Sequence, residues 1–113
     1  LVAEDVESNF LLLKAIIGKT YTLLHAWNGK EAVEIYEQSL PDLILMDIKM
    51  PEMDGLEATR IIRKVSQEIP IIALTAFAFD DDRVKALEAG CNDYLTKPLS
   101  APLLKETIAK YLV

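Results

Sequence analysis

The feature that most constrains the fold is an alternation of two apolar patterns along the whole chain. Short apolar runs of the kind that form buried strands recur five times, at residues 1–3, 21–26, 42–46, 69–75 and 93–96. Each run is followed by a stretch whose apolar residues have helical spacing. This strict alternation predicts an α/β fold in which a parallel sheet is covered by helices on both faces.

Turn and capping residues predict where the helices begin and end. Asn28 and Asp54 are each followed three residues later by a glutamate, as in a variant capping box. Gly18 follows the first helical stretch and is expected to stop that helix in a left-handed conformation. In the fourth stretch, Val84 and Leu87 have the spacing of an apolar helix stripe.

Length and composition indicate one ordinary globular domain. The chain has 113 residues, of which 51% are hydrophobic and 27% charged, so we assign residues 1–113 to one domain with one core. The sequence begins at Leu1 without a methionine, and we expect it to be a piece of a longer chain or to lack its first residues. The single cysteine, Cys91, has no partner for an internal disulfide and is interpreted as structural.

Charge and hydropathy exclude several classes of function. The net charge is −6 and basic residues do not cluster with aromatic ones, so we expect no direct nucleic-acid binding by this domain. No apolar run is long enough to span a bilayer, and no signal peptide is visible. We therefore expect a cytoplasmic domain that makes no membrane contact itself, although it could be the cytoplasmic part of a membrane-bound sensor.

The predicted topology brings polar residues together. Right-handed crossovers would make the five-stranded sheet doubly wound with strand order 2-1-3-4-5, as in flavodoxin-like folds. The carboxyl ends of the first and third strands then meet at the switch point, where open α/β sheets bind ligands. The polar residues at the carboxyl ends of the strands are Glu4, Asp5, Asp47, Thr75, Thr96 and Lys97.

Three carboxylates at one sheet edge predict a metal site. Two carboxylates about 5 Å apart repel each other by roughly 3 kcal/mol at an effective dielectric constant near 20, so three of them favour a bound cation. Oxygen ligands without a convergent histidine or cysteine are typical of Mg²⁺, with Mn²⁺ as an alternative, and suit zinc poorly.

The same residues suggest phosphoryl chemistry. Asp47 ends the apolar run of the third strand in "LILMDIKMPEMDG" and is the best-placed carboxylate nucleophile for forming an aspartyl phosphate. Lys97, the Thr75 hydroxyl and the metal could share the phosphoryl oxygens. The segment "AEDVESN" has acids where a nucleotide-binding loop would have glycines, so we expect a chain that receives phosphate and does not bind ATP.

Four motifs in this order resemble the receiver domain of two-component response regulators over essentially the whole chain. They are "VAEDVESN", "LILMDIKMPEMDG", "ALTA" and "DYLTKPL", with 42, 28 and 22 positions separating Asp5, Asp47, Thr75 and Lys97. Each motif alone is weak, but the set is very specific. The sequence is also similar to receivers fused to hybrid histidine kinases.

The resemblance implies a role for each matching residue. Asp47 would be the phosphoacceptor, Asp5 a direct Mg²⁺ ligand, Glu4 a ligand through water, and the backbone carbonyl of Lys49 a further ligand. Thr75 and Lys97 would bind the phosphoryl oxygens, and the bond from Lys97 to Pro98 would be cis. Tyr94 would be the aromatic side chain that rotates on phosphorylation, although plain core packing is an equally good interpretation of Tyr94.

The resemblance also implies a partner and an output. A histidine kinase or histidine phosphotransfer domain would donate the phosphoryl group, and the chain would catalyse its own phosphorylation and slow dephosphorylation. The changed surface would comprise the fourth helix, fifth strand and fifth helix, and we expect a monomer or weak dimer. Phe77 occupies a position that affects the lifetime of the aspartyl phosphate in the family. Trp27 and Phe79 are candidate partner contacts, with partial burial as the alternative.

Single residues of this set also have purely structural interpretations, and two other functions are alternatives to the receiver function. Asp47 could be a turn acid, Glu4 and Asp5 could cap the first helix, and Lys97 could be a solvated surface residue. One rival function is a phosphohydrolase with an aspartyl nucleophile, which commonly has a second acid where Lys49 stands. The other is a receiver-like interaction module that does not take phosphate.

Overall fold

The fold is a five-stranded sheet with five helices. A computed structural model describes residues 1–76 and 80–112, so Phe77 and Phe79 lie outside the described residues. The strands are β1 (Val2–Ala3), β2 (His25–Ala26), β3 (Ile44–Asp47), β4 (Ile71–Thr75) and β5 (Asp93–Thr96). The helices are α1 (Glu7–Ile17), α2 (Gly29–Ser39), α3 (Gly55–Val65), α4 (Asp80–Ala89) and α5 (Ala101–Tyr111). Within the described part of the chain, every helix is too short or too polar to cross a lipid bilayer.

The sheet confirms the predicted topology. All neighbouring strands are parallel, and their order is β2-β1-β3-β4-β5. The chain runs from β1 outward to β2 and then crosses back past β1 to β3, so β1 and β3 are neighbours and their carboxyl ends lie side by side. A crevice forms at such a switch point because the helices that follow the two strands lie on opposite faces of the sheet.

Alternate residues of the strands separate two cores. On one face, Ala3, Met46 and Ala73 pack against α2, α3 and α4. On the other face, Val2 and Leu45 pack with their neighbours against α1 and α5. The central strands β3 and β4 are buried throughout, which explains why their sequences are continuously apolar.

Most of the predicted helix boundaries are confirmed by hydrogen bonds. The Oδ1 atoms of Asn28 and Asp54 accept bonds from the backbone N–H groups three residues later, both at 2.8 Å. Ser100 caps α5, which has a proline in its first turn. The expectation for Gly18 was wrong, because Gly18 ends α1 in a right-handed conformation with φ −65°.

The apolar stripe expected in α4 was also wrong. Val84 and Leu87 are 48% and 44% exposed, whereas Ala86 and Ala89 are buried. Small side chains allow α4 to lie close to its neighbours, so the core-facing side of this helix is made by alanines and its larger apolar residues face solvent.

A clasp of hydrogen bonds joins the end of α3 to the loop between α4 and β5. The guanidinium of Arg63 donates from Nε to the Gly90 carbonyl at 2.8 Å and from one terminal nitrogen to Asn92 Oδ1 at 2.7 Å. Asn92 Oδ1 also accepts from the backbone N–H of Ile71 at the start of β4. Gly90 has φ +116°, and a Cβ there would lie 2.6 Å from Arg63 Cγ. The clasp lies at the amino end of β4, away from the strand ends that carry the acids.

Candidate functional site

Three carboxylates meet where β1 and β3 end. Ala3 pairs with Met46, so the residues that follow each of them, Glu4 and Asp47, emerge side by side. Asp5 comes next in the chain, and Glu4, Asp5 and Asp47 each offer an oxygen within 4.8 Å of the others. They line a cleft of about 220 Å³ together with Thr75 and Lys97. The structure therefore brings together the acids that the sequence predicted to converge.

Lys97 directly follows β5 and reaches these acids across the end of β4. Thr75 pairs with Thr96 at the ends of β4 and β5, and the backbone N–H of Lys97 donates to the Thr75 carbonyl at 2.7 Å. The Lys97 Nζ then lies 3.0 Å from both Glu4 Oε2 and Asp47 Oδ2. The bond from Lys97 to Pro98 is cis, as the resemblance implied. Lys97 is thus part of the cleft and not a solvated surface residue.

Glu4 is more enclosed than the sequence indicated. Its side chain is fully buried, and Oε1 accepts bonds from the backbone N–H of Val6 at 3.2 Å and from Asn9 Nδ2 at 3.3 Å. Sequence reasoning missed Asn9. The available signal was its position in the first turn of the helix that follows Glu4, which directs a side chain back toward the end of β1.

Burial makes the Asp47 carboxylate unusual. Desolvation raises the pKa of Asp47 from 3.8 to about 6; the hydrogen bond from Lys97 opposes this shift, and the charge of Glu4 adds to it. Burial lowers the pKa of Lys97, but its bonds to Asp47 and Glu4 outweigh that effect and the pKa is raised. At pH 7 the ionised form of Asp47 and the charged form of Lys97 therefore predominate.

The loop after β3 closes tightly around Asp47. The backbone N–H of Lys49 donates to Asp47 Oδ1 at 3.2 Å, and the backbone N–H of Gly55 donates to the Ile48 carbonyl at 2.8 Å. A Cβ on Gly55 would overlap the Asp47 carbonyl oxygen. The glycine that ends "MPEMDG" thus lets α3 begin directly against the strand end that carries Asp47.

Thr75 and Tyr94 occupy different surroundings. Thr75 is buried at the end of β4 and lines the cleft beside Ala76. Tyr94 is half-buried and packs against the core cluster under α2, α3 and α4, and the Arg83 guanidinium lies 5.5 Å from its ring centroid. In this structure Tyr94 packs as a core-edge residue, which is compatible with both interpretations made from the sequence. Trp27, the other aromatic partner candidate, is exposed on the surface.

The donor set suits a hard divalent cation. Among the described residues that line the cleft there are three acids but only two lysines, Lys49 and Lys97, so acidic groups outnumber basic ones. The groups that line it, as far as the chain is described, offer oxygen donors and no histidine or cysteine. Mg²⁺ prefers such ligands and usually keeps several of its waters, for which the cleft has room. The residues present therefore fit a magnesium site.

Comparison with known proteins identifies the family. The family model of the response regulator receiver domain matches residues 1–109. The chain belongs to this family. Among curated relatives, the polar-differentiation response regulator DivK of Brucella anthropi is 40% identical over 115 residues, which cover 99% of this chain and 94% of that protein.

Solved receiver structures have the same fold. The receiver domain of the sensor histidine kinase PA1611 from Pseudomonas aeruginosa, which has a magnesium ion coordinated in its active site cleft, is 37% identical with a TM-score of 0.90; the match covers 97% of this chain and 93% of that one. The Ssk1 receiver domain of Saccharomyces cerevisiae, crystallised with the histidine phosphotransfer protein Ypd1, is 34% identical with a TM-score of 0.91; the match covers 97% and 85%.

These matches establish the general function. The chain is a receiver domain of two-component signalling, and receiver domains of histidine kinases are among its structural relatives. Receiver domains pair with histidine phosphotransfer proteins or kinases and bind Mg²⁺ in their acidic pocket. Family membership favours this signalling function over the phosphohydrolase alternative.

Proposed function

We propose that this receiver accepts a phosphoryl group on Asp47 from a phosphohistidine donor. The observation that carries the proposal is the position of the Lys97 Nζ, 3.0 Å from Asp47 Oδ2, inside a cleft that also holds Glu4 and Asp5. A nucleophilic carboxylate, an amine and two further acids are the groups that phosphoryl transfer to an aspartate requires.

The transfer step needs an ionised carboxylate that lines the cleft, as Asp47 does. A carboxylate oxygen of Asp47 forms a bond to phosphorus while the bond from phosphorus to the donor's histidine nitrogen breaks, and the electron pair stays on the imidazole. With a pKa of about 6, Asp47 is mostly ionised at pH 7 and can act without a general base. The backbone N–H of Lys49 and the Nζ of Lys97 hold the carboxylate in place.

Asp5, Asp47 and the backbone carbonyl of Lys49 would hold Mg²⁺, and Glu4 would act on it through water. When bound, Mg²⁺ would neutralise charge on the incoming phosphoryl oxygens, and Mn²⁺ is an alternative. The excess of carboxylates over ammonium groups in the cleft supports this assignment.

Lys97 and Thr75 would bind the phosphoryl oxygens after transfer. Lys97 already contacts Asp47, so a small rotation would let the ammonium bind an oxygen of the phosphoryl group. The Thr75 hydroxyl lies at the edge of the same cleft. Movement of Thr75 would leave room for Tyr94 to repack, and the surface made by α4, β5 and α5 would change with it.

The donor would be a histidine kinase or a histidine phosphotransfer domain. The yeast relative, crystallised with a histidine phosphotransfer protein, supports a partner of this kind. The net charge of −6 and the lack of a cluster of basic and aromatic residues in the sequence support an output through protein contacts and not through nucleic acid. We propose that residues 1–113 form one receiver domain.

Intact-mass measurement after incubation with a small phosphodonor and Mg²⁺ tests the proposal. We expect one phosphoryl group per chain, slow loss of that group, and no labelling of Asp47→Asn. Asp42→Asn, which removes an acid at the opposite end of β3, is the matched control and should label normally. Rapid turnover of many donor molecules would favour a hydrolase, and an unchanged mass would indicate an inert module.

A further inference from the structure

We propose that Asn9 is a positioning residue that orients the Glu4 carboxylate for magnesium binding, an inference that rests on the proposed function. Asn9 lies in the first turn of α1, and its Nδ2 donates to Glu4 Oε1 at 3.3 Å. Glu4 directly follows β1. The hydrogen bond therefore joins the start of the helix to the end of the strand that supplies the acids.

Glu4 needs donors from the protein because it is fully buried. A buried carboxylate is destabilised unless hydrogen bonds replace its lost water. Oε1 accepts from the Val6 backbone and from Asn9, while Oε2 accepts from Lys97. The two oxygens are therefore held by different parts of the chain.

The donors to the two oxygens differ in how permanent they are. Lys97 has a long side chain, and under the proposed function it moves to the phosphoryl group once Asp47 is modified. Val6 and Asn9 belong to the loop and first turn next to Glu4 and do not depend on the state of Asp47. Asn9 is thus a side-chain partner that stays with Glu4 when Lys97 leaves.

The direction of these bonds decides which oxygen faces the cleft. Because Val6 and Asn9 both bind Oε1, the other oxygen, Oε2, points toward the Lys97 Nζ, which also contacts Asp47. Without the Asn9 amide, the Glu4 carboxylate can turn about its last bond and satisfy Oε1 elsewhere. Glu4 would then present its oxygen less well beside Asp5 and Asp47, and magnesium would bind more weakly.

Calorimetric titration with MgCl₂ tests the inference without measuring phosphorylation. We compare the unmodified chain with Asn9→Ala and with Asn9→Leu, which keeps the approximate size of the side chain, favours the helix and lacks the donor. Both variants should bind Mg²⁺ roughly 10-fold more weakly, the lower end of the loss that follows removal of a hydrogen-bond partner from a metal ligand. Ser8→Ala, at the exposed neighbouring position of α1, should bind as the unmodified chain does.

A double-mutant cycle separates positioning from a general effect on the helix. If Asn9 acts through Glu4, Asn9→Ala should change the Mg²⁺ affinity less than about 2-fold when Glu4 is already alanine. An equal loss in both backgrounds would overturn the inference. If Asn9→Ala and Asn9→Leu bind Mg²⁺ as tightly as Ser8→Ala does, this inference is overturned and the proposed function is unaffected. If the unmodified chain does not bind Mg²⁺, the proposed function is overturned as well.

Discussion

The Lys97 ammonium lies 3.0 Å from the Asp47 carboxylate although 50 residues separate them in the sequence. They come from the ends of β5 and β3, and β4 lies between these strands. The long lysine side chain spans the width of β4 and brings its charge to the switch point. In the structure, Lys97 therefore acts as the counter-ion of both Asp47 and Glu4.

Replacing Lys97 should separate phosphoryl transfer from metal binding. Lys97→Ala should lower the rate of phosphorylation by a small phosphodonor roughly 100-fold, because a positioned charge that stabilises the transferring group is lost. Its Mg²⁺ affinity should be unchanged or higher, since the variant lacks a cation that binds the same carboxylates. Stopped-flow kinetics and calorimetry measure the two effects, with Lys105→Ala on the exposed side of α5 as the control. A large loss of Mg²⁺ affinity would contradict the proposed role of Lys97.

The raised pKa of Asp47 predicts a pH-dependent difference in stability between two metal-free proteins. The folded-state pKa of about 6 exceeds the unfolded value of 3.8, so Asp47 favours folding below about pH 4 and this contribution is lost as the pH rises to about 6. The free energy of unfolding of Asp47→Asn, minus that of the unmodified chain, should increase across this window. After allowance for solvent screening at the cleft mouth, the increase should be about 1–2 kcal/mol.

Urea unfolding in the presence of a chelator, from pH 4 to pH 7, measures this difference. The comparison between two proteins removes the contributions of the other carboxylates, which titrate in both. A difference that stays constant or decreases with pH would show that burial does not disfavour the Asp47 carboxylate.

Magnesium should stabilise the folded chain through the same acids. A ligand at 100 times its dissociation constant adds about 2.7 kcal/mol to the free energy of unfolding if it binds the folded state alone. Thermal melts should therefore shift upward on addition of MgCl₂ and return on addition of a chelator. Asp5→Asn should lose most of this shift, whereas Glu37→Gln, which removes one charge from an exposed position on α2, should keep it. An equal shift in Asp5→Asn would remove Asp5 from the ligand set.

The clasp at Gly90 should contribute to stability and not to phosphorylation. Gly90→Ala adds a Cβ at φ +116° and 2.6 Å from Arg63 Cγ, so we expect a loss of about 1–3 kcal/mol in urea unfolding. Part of the loss should disappear when Arg63 is also alanine, because the side-chain clash is then removed while the backbone strain remains. If the losses in free energy of unfolding caused by Gly90→Ala and Arg63→Ala simply add in the double variant, the Arg63 side chain is not what opposes the extra Cβ.

The sequence predicted the sheet and the acids because both depend on patterns that are local. The buried runs of β3 and β4 are continuous, and strand alternation fixes which strand ends meet, so Asp5, Asp47 and Lys97 could be placed at one edge. The same reasoning identified the caps at Asn28 and Asp54, since a capping bond spans three residues.

The errors and omissions depend on packing distances that a sequence does not show. In α4, Ala86 and Ala89 face the core because close approach favours small side chains, so hydrophobicity alone selected the wrong face. The bond from Asn9 to Glu4 joins a helix to a strand end and depends on how far Glu4 reaches. The clasp formed by Arg63 bridges elements that are distant in the chain.

The central claim is that Asp47 carries the phosphoryl group, and direct location of the modified residue tests it best. Reduction of an aspartyl phosphate with borohydride converts that aspartate to homoserine, which tandem mass spectrometry locates in a peptide digest. After incubation with a phosphodonor and Mg²⁺, the account predicts homoserine at position 47 and unchanged residues at positions 4 and 5. Homoserine at position 5, or a reduced protein without homoserine at position 47, would contradict it.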